Sequence, residues 1–142
     1  MKKWIITISV IILLCGVLFF VIKSDEQDLG DNYFYLPKYE AIDLGYPGGG
    51  MVYKSSEKYL FKEIKITGNV AEAYSNKDFI IASQNTDTSY NKTMHSNVAK
   101  RKLTQYFIIE KKTDILFGPY NKEEYIKKRE ELGVPRGLQL KE

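Results

Sequence analysis

The chain begins with an unbroken apolar run, from Trp4 to Ile22, that contains no charged residue. Its 19 residues, each adding roughly 1.5 Å of rise, would cross the hydrocarbon core of a bilayer as one helix. Two lysines precede the run, and an acidic stretch follows Lys23. Because positive charge favours the cytoplasmic side, the pattern predicts a single-pass transmembrane signal anchor over residues 1–23. The remainder of the chain would then lie outside the cytoplasmic membrane.

Two alternatives to an uncleaved anchor follow from the same run. A cleavable signal has an apolar core of only about 7–15 residues and a small-x-small exit, whereas this run is longer and ends Phe20-Val-Ile-Lys-Ser24. Lipoprotein processing would use Cys15, which follows Leu14 and precedes Gly16. Leu14 is large where a small residue is expected, so we interpret Cys15 as part of the membrane helix and keep it as a candidate lipidation site.

Beyond the anchor, residues 24–31 are polar and predict a short linker, and residues 32–142 have the length of one domain. Short β-type segments fill most of this domain, each bounded by glycine, asparagine, aspartate or proline. The segments are 33–36, 51–53, 59–67, 70–74, 79–84, 103–110 and 115–117. The predicted fold class is therefore α+β: one small antiparallel sheet, with a C-terminal helix packed on it.

Two of the strands, at 79–82 and 106–109, are apolar at successive positions rather than at alternate ones. A strand that is covered on one face alternates, and a strand that is covered on both faces does not. We therefore expect these two strands at the centre of the sheet. The C-terminal helix would cover one face, and the aromatic segment 33–53 would cover the other.

The C-terminal helix is predicted over 121–132 from its end signals. Asn121 is a favourable N-cap residue, and Glu124 stands three positions later, as in a capping box. Gly133 is a typical helix stop. The apolar stripe of this helix consists of Tyr125, Ile126 and Leu132.

The net charge and the motifs of the chain limit the classes of function that we expect. The formal net charge is +3, and Lys2, Lys3 and Lys23 account for all of it, so the exported part is neutral and nucleic acid is not an expected partner. Cys15 and His95 are the only residues of their types. No spacing typical of a metal site, a phosphate loop or a nucleophile elbow occurs. We therefore predict no cofactor, no metal, no catalytic residue and no enzymatic activity.

Aromatic residues are concentrated early in the domain. The chain has 11 tyrosines and 7 phenylalanines, and tyrosine is common at recognition surfaces because it joins apolar area to a polar tip. The candidate partner-binding residues are Tyr33, Tyr35, Tyr39 and Tyr46. The alternative is that these side chains fill the core of a small β domain.

Several segments together resemble small bacterial membrane-anchored or lipoprotein domains of unknown function. They are Tyr33-Phe-Tyr-Leu-Pro37, Asp78-Phe-Ile-Ile-Ala-Ser-Gln84, Tyr106-Phe-Ile-Ile-Glu-Lys-Lys-Thr113, Phe117-Gly-Pro-Tyr-Asn-Lys-Glu-Glu-Tyr125 and Lys128-Arg-Glu-Glu-Leu-Gly-Val-Pro135. The resemblance covers about residues 30–135 and implies an exported bacterial protein. It implies no functional residues.

The leading functional hypothesis is a membrane-tethered extracytoplasmic interaction or structural domain, with an unidentified protein as its partner. One alternative is an immunity-type protein that binds a toxin near the membrane. A second is an envelope hydrolase, which would need convergent carboxylates in a pocket.

Overall fold

The computed structural model describes residues 27–46, 48–87 and 102–141. These residues form eight strands and two helices. In chain order they are β1 (Gln27–Gly30), β2 (Tyr33–Leu36), α1 (Lys38–Asp43), β3 (Met51–Lys54), β4 (Glu63–Ile66), β5 (Val70–Ser75), β6 (Phe79–Asp87), β7 (Lys102–Glu110), β8 (Ile115–Tyr120) and α2 (Lys122–Leu132).

The strands form two four-stranded antiparallel sheets, with the orders β1-β2-β3-β4 and β5-β6-β7-β8. The α+β class and its antiparallel pairing are confirmed, but the prediction of one sheet is wrong. The chain leaves the first sheet after Ile66 and enters the second at Val70. Between them Gly68 and Asn69 both have positive φ, at 76° and 52°. Strand patterns alone do not indicate which strands pair, so the sequence does not predict that the sheet is divided at this point.

The two sheets face each other across a shared apolar core. In a two-sheet packing, the inward side chains of both sheets interdigitate. The buried members from the first sheet are Leu29, Tyr33, Tyr35, Val52 and Ile66, and those from the second are Val70, Ala73, Ile80, Ala82, Phe107 and Ile109. The first sheet, which includes the early tyrosines, is therefore one of the covers that the central strands require.

The central position of β6 and β7 is confirmed, since each has a neighbour on both sides within its sheet. Their other face is covered by α2 and the segment after it, through Tyr125, Val134 and Leu138. The end signals of α2 act as predicted. The Asn121 side chain accepts a hydrogen bond from the Glu124 backbone amide, and the Glu124 carboxylate accepts one from the Asn121 backbone amide. Gly133 ends the helix in the left-handed conformation.

The outer face of the first sheet carries a small apolar cluster of its own, built from Phe34, Leu36, Ala41, Met51 and Tyr53. Ala41 comes from α1, a six-residue helix that the sequence did not predict because no side-chain cap marks its start after Pro37. Strand β1 was also missed. It lies in the predicted linker 24–31, where Leu29 is its only buried side chain.

Among the residues that the structure describes, no helix is long and apolar enough to cross a membrane. The predicted anchor at 4–22, with Cys15, lies outside the described residues. His95 also lies outside them.

Candidate functional site

A cavity of about 890 Å³ lies between β5, β6, β7 and α2 and is open to solvent. Its floor is formed by the ends of the strands and its walls by the helix and by the chain that follows it. Lining residues include Ala71, Glu72, Ser83, Asn85, Tyr106, Tyr125, Ile126, Arg129 and Lys141. We call this cavity the α2 end of the candidate site.

A second cavity, of about 520 Å³, also borders the start of β5. It is lined by Tyr35, Pro37, Lys38, Tyr39, Asn69, Val70, Ala71 and Asn85. Ala71 and Asn85 line both cavities, so the two are neighbours at the start of β5. We call the two cavities together the β5 groove.

The α2 end contains an aromatic pair with an unsatisfied hydroxyl. The rings of Tyr106 and Tyr125 stack with centroids 4.9 Å apart. Tyr125 is 5% exposed, and its buried hydroxyl makes no hydrogen bond of good geometry, although the Arg129 side chain lies close to it. Burial raises the pKa of Tyr125, against the nearby positive charge of Arg129. A buried polar group without a partner costs free energy, and this hydroxyl lies beneath the surface of the cavity rather than open to it.

The walls of the α2 end carry opposite charges that are already held in place. The Arg129 guanidinium donates to the carbonyls of Pro135 (3.1 Å) and Leu138 (2.5 Å) and lies 5.4 Å from the Tyr125 ring centroid. The Glu72 carboxylate, which lines the same cavity, accepts from the Lys141 backbone amide at 3.1 Å. A ligand in this cavity therefore meets both a fixed cation and a fixed anion.

The four predicted partner-binding tyrosines separate into buried and exposed ones. Tyr33 and Tyr35 have their rings in the core between the sheets, and Tyr46 packs partly against the outer cluster of the first sheet. Only Tyr39 is freely exposed, at 83%. The structure therefore brings Tyr35 and Tyr39 together at one end of the β5 groove and leaves Tyr33 and Tyr46 outside it.

The hydroxyl of Tyr35 contacts the backbone at the start of β5. It donates to the Ala71 carbonyl at 2.8 Å, which ties the first sheet to the start of β5. Burial, assisted by the negative charge of Glu72, raises the pKa of Tyr35 to about 12. The neutral, donating form of Tyr35 is the one present near neutral pH.

A separate polar network lies at the β7–β8 turn. The Asp114 carboxylate accepts from the Tyr33 hydroxyl and pairs with Lys54 at 3.0 Å and Lys65 at 2.8 Å. In the same turn, the ammonium of Lys111 donates to the Leu29 carbonyl at 2.5 Å. Because the turn belongs to the second sheet and its partners to the first, this network fastens the two sheets together.

The charge state of Asp114 is set by these partners. Burial alone would raise its pKa, but the hydrogen bonds from Lys65, Tyr33 and Lys54 outweigh it and hold the pKa well below its usual range. The pKa of Tyr33 is raised, by burial first and then by the hydrogen bond to Asp114. Asp114 is thus a fixed anion, which suits a structural role.

The Asp114 network predicts an acid-sensitive contribution to stability. Because the folded-state pKa is depressed, the contribution is present above the unfolded pKa of about 3.9 and is lost as the pH falls below it toward the folded value. We expect Asp114→Asn to lower the urea midpoint at pH 7 and to lower it much less at pH 2, which lies well below the unfolded pKa. Asparagine tolerates the left-handed backbone at this position, where φ is 60°.

The matched control for this test is Asp43→Asn, at an exposed position at the end of α1. It should leave the urea midpoint almost unchanged at both pH values. Equal losses at pH 2 and pH 7 in Asp114→Asn would contradict an ionised role for Asp114.

Sequence reasoning missed the polar residues of the groove. Glu72 and Arg129 sit in ordinary strand and helix contexts, and no local spacing links them. Ile126 was assigned to the apolar stripe of the helix, yet it is 49% exposed and lines the groove. Within the described ranges, no three His, Cys, Asp or Glu side chains are grouped to hold a metal ion.

Comparison with known proteins gives one family. The model of the family described as "Protein of unknown function (DUF3997)" matches residues 38–142. No curated protein and no solved structure matches the chain.

Proposed function

The chain belongs to the DUF3997 family, whose function is unknown, and we propose that it is a membrane-tethered extracytoplasmic interaction domain that binds a partner without catalysing a reaction. The β5 groove is the proposed binding surface, and an extended polypeptide segment is the proposed ligand. The apolar run at 4–22 supplies the tether.

The shape of the groove carries this proposal. The two neighbouring cavities share Ala71 and Asn85, and both are open to solvent, so neither is closed around one small molecule. Small-molecule sites are concave and bury most of their ligand. A long open groove beside an edge strand fits an extended chain, which contacts its receptor at successive positions.

The chemistry of the groove fits a polypeptide. Arg129 and Glu72 can face side chains of opposite charge. Tyr106 and Ile126 offer apolar area between these groups, as the aromatic and aliphatic parts of interfaces do.

The hydrolase alternative needs a carboxylic acid whose pKa is raised, so that it can donate a proton. The one carboxylate with a marked shift among the described residues is Asp114, and its pKa is lowered. It also lies away from the β5 groove. No feature in the described part of the chain favours the hydrolase or the immunity alternative over the proposed function.

Site-specific photocrosslinking in the native host tests the proposal. A photoreactive amino acid replaces Ile126, which is half exposed in the groove, in the full-length chain. We expect one discrete crosslinked product of higher mass in the membrane fraction. Protease added to right-side-out membrane vesicles should digest this product, because the domain is proposed to lie outside.

The control places the same photoreactive amino acid at Lys112, which is exposed in the β7–β8 turn. This probe should give no discrete product. A product of the same mass from both positions, or none from Ile126, would refute binding in the groove. A protected product would refute the extracytoplasmic location.

A further inference from the structure

Exposed apolar side chains are concentrated on one part of the surface. Ten large hydrophobic residues are exposed in the described part of the chain, and five of them lie on α1 or close to it. The contact between the Tyr59 hydroxyl and Glu40 of α1, at 3.4 Å, joins the two segments involved. These five residues, Tyr39, Ile42, Leu44, Tyr59 and Leu60, define the α1 surface.

The α1 surface lies where the chain enters the domain. Gln27 of β1 pairs with Tyr35 of β2, and α1 begins three residues after Tyr35. Only residues 23–26 separate Gln27 from the apolar run that ends at Ile22. Because an extended chain reaches at most roughly 3.6 Å per residue, the entry point stays within about 20 Å of the end of that run.

The residue types on this surface suit a bilayer interface. Tyrosine concentrates at the level of the lipid headgroups, and lysine can place its stem along apolar area with its ammonium in water. Lys38, Lys58 and Lys62 belong to the same segments, but so do Glu40, Asp43 and Glu57. The charges balance, so apolar contact rather than attraction to anionic lipid would drive the association.

We propose that the α1 surface rests on the outer interface of the bilayer that holds the tether. This inference depends on the tether of the proposed function. It orients the domain, with α1 toward the lipid and the β7–β8 turn away from it. Strand β1 runs from the entry point to the β1–β2 turn, where Lys111 of the β7–β8 turn contacts Leu29 and Asp31, and β2 returns from there to α1.

Lipid-attached quenchers test the proposal on the full-length chain. In a Cys15→Ser background, Ile42→Cys carries an environment-sensitive fluorophore, and the protein is reconstituted in phosphatidylcholine vesicles. Nitroxides on the lipids should quench this label, and its emission should be shifted to shorter wavelength. The result should not change when part of the lipid is replaced by anionic phosphatidylglycerol.

Two controls separate this proposal from the tether itself. Trp4, the single tryptophan, reports insertion of the apolar run through its own quenching by the same lipids. A label at Lys112→Cys should stay unquenched and unshifted. Tyr39→Asp, at a position 83% exposed, should reduce quenching of the Ile42 label and leave Trp4 unaffected.

The outcomes are distinct. If Trp4 is quenched but the Ile42 label is not, the proposed orientation is refuted and the tether is supported. The same holds if the labels at Ile42 and Lys112 are quenched equally. Unquenched Trp4 would refute the tether and the inference with it.

Discussion

Replacing Ile108 by alanine is expected to lower the free energy of unfolding by about 2–5 kcal/mol. Ile108 is fully buried in the centre of β7, where it packs with Phe79, Ile81 and Tyr125 under α2. Because this strand is covered on both faces, the surrounding structure has little freedom to fill the cavity. Urea unfolding of the chain in detergent micelles, followed by far-ultraviolet circular dichroism, measures the loss.

Leu103→Ala is the matched control for Ile108→Ala. Leu103 lies in the same strand but is 54% exposed, so its truncation should change the free energy of unfolding by less than about 1 kcal/mol. If the two variants lost the same stability, β7 would not be a central strand covered by α2.

The central strands were predictable because their signal is local. Residues 79–82 and 106–109 are apolar at successive positions, and only a strand with two covered faces tolerates this. The end signals of α2 were equally local, and both partners of its capping box lie within three residues. Such features can be interpreted without knowledge of the rest of the fold.

The division into two sheets depends on contacts far apart in the chain. It is held by pairs such as Tyr35 with Ala71 and Lys65 with Asp114, and no sequence period records them. Strand β1 was missed for a related reason. With one buried side chain, Leu29, it forms a strand because β2 offers a partner, so tertiary context overrides its weak local preference.

The candidate site was predictable only in part. The enrichment in tyrosine drew attention to Tyr33, Tyr35, Tyr39 and Tyr46, but burial decides their roles, and burial follows from which face of a strand each one occupies. Tyr33 and Tyr35 point into the core, whereas Tyr39 stands on α1. The groove itself is formed by the junction of β5, β6 and α2, which the sequence does not bring together.

The two proposals share one geometry. Tyr39 lies at one end of the β5 groove and belongs to the α1 surface. If that surface rests on the bilayer, the Tyr39 end of the groove lies near the lipid. A polypeptide bound at that end would then be held close to the membrane.

Replacing Gly50 by alanine is expected to lower the free energy of unfolding by about 3 kcal/mol or more. A Cβ on Gly50 would overlap the Val70 carbonyl oxygen and would approach the Leu36 carbonyl oxygen within 3.2 Å. Both atoms are backbone, so no side chain can move aside. The Gly50 carbonyl also accepts from the Val70 amide at 3.0 Å, and Val70 begins β5. The close approach therefore joins the two sheets, and the added methyl group would separate them.

Gly48→Ala distinguishes this packing effect from a general intolerance of the loop. A Cβ on Gly48 would meet only the Gly68 Cα, at 3.5 Å, which is an ordinary contact. Its φ is not positive, so alanine should leave the stability unchanged or raise it by up to about 1 kcal/mol through the unfolded state. Urea midpoints of the two variants, compared with that of the parent chain, measure the difference. A wild-type midpoint for Gly50→Ala would mean that the sheets do not meet at Gly50 and Val70. The position assigned to the first residues of β5, which line the β5 groove, would then be contradicted.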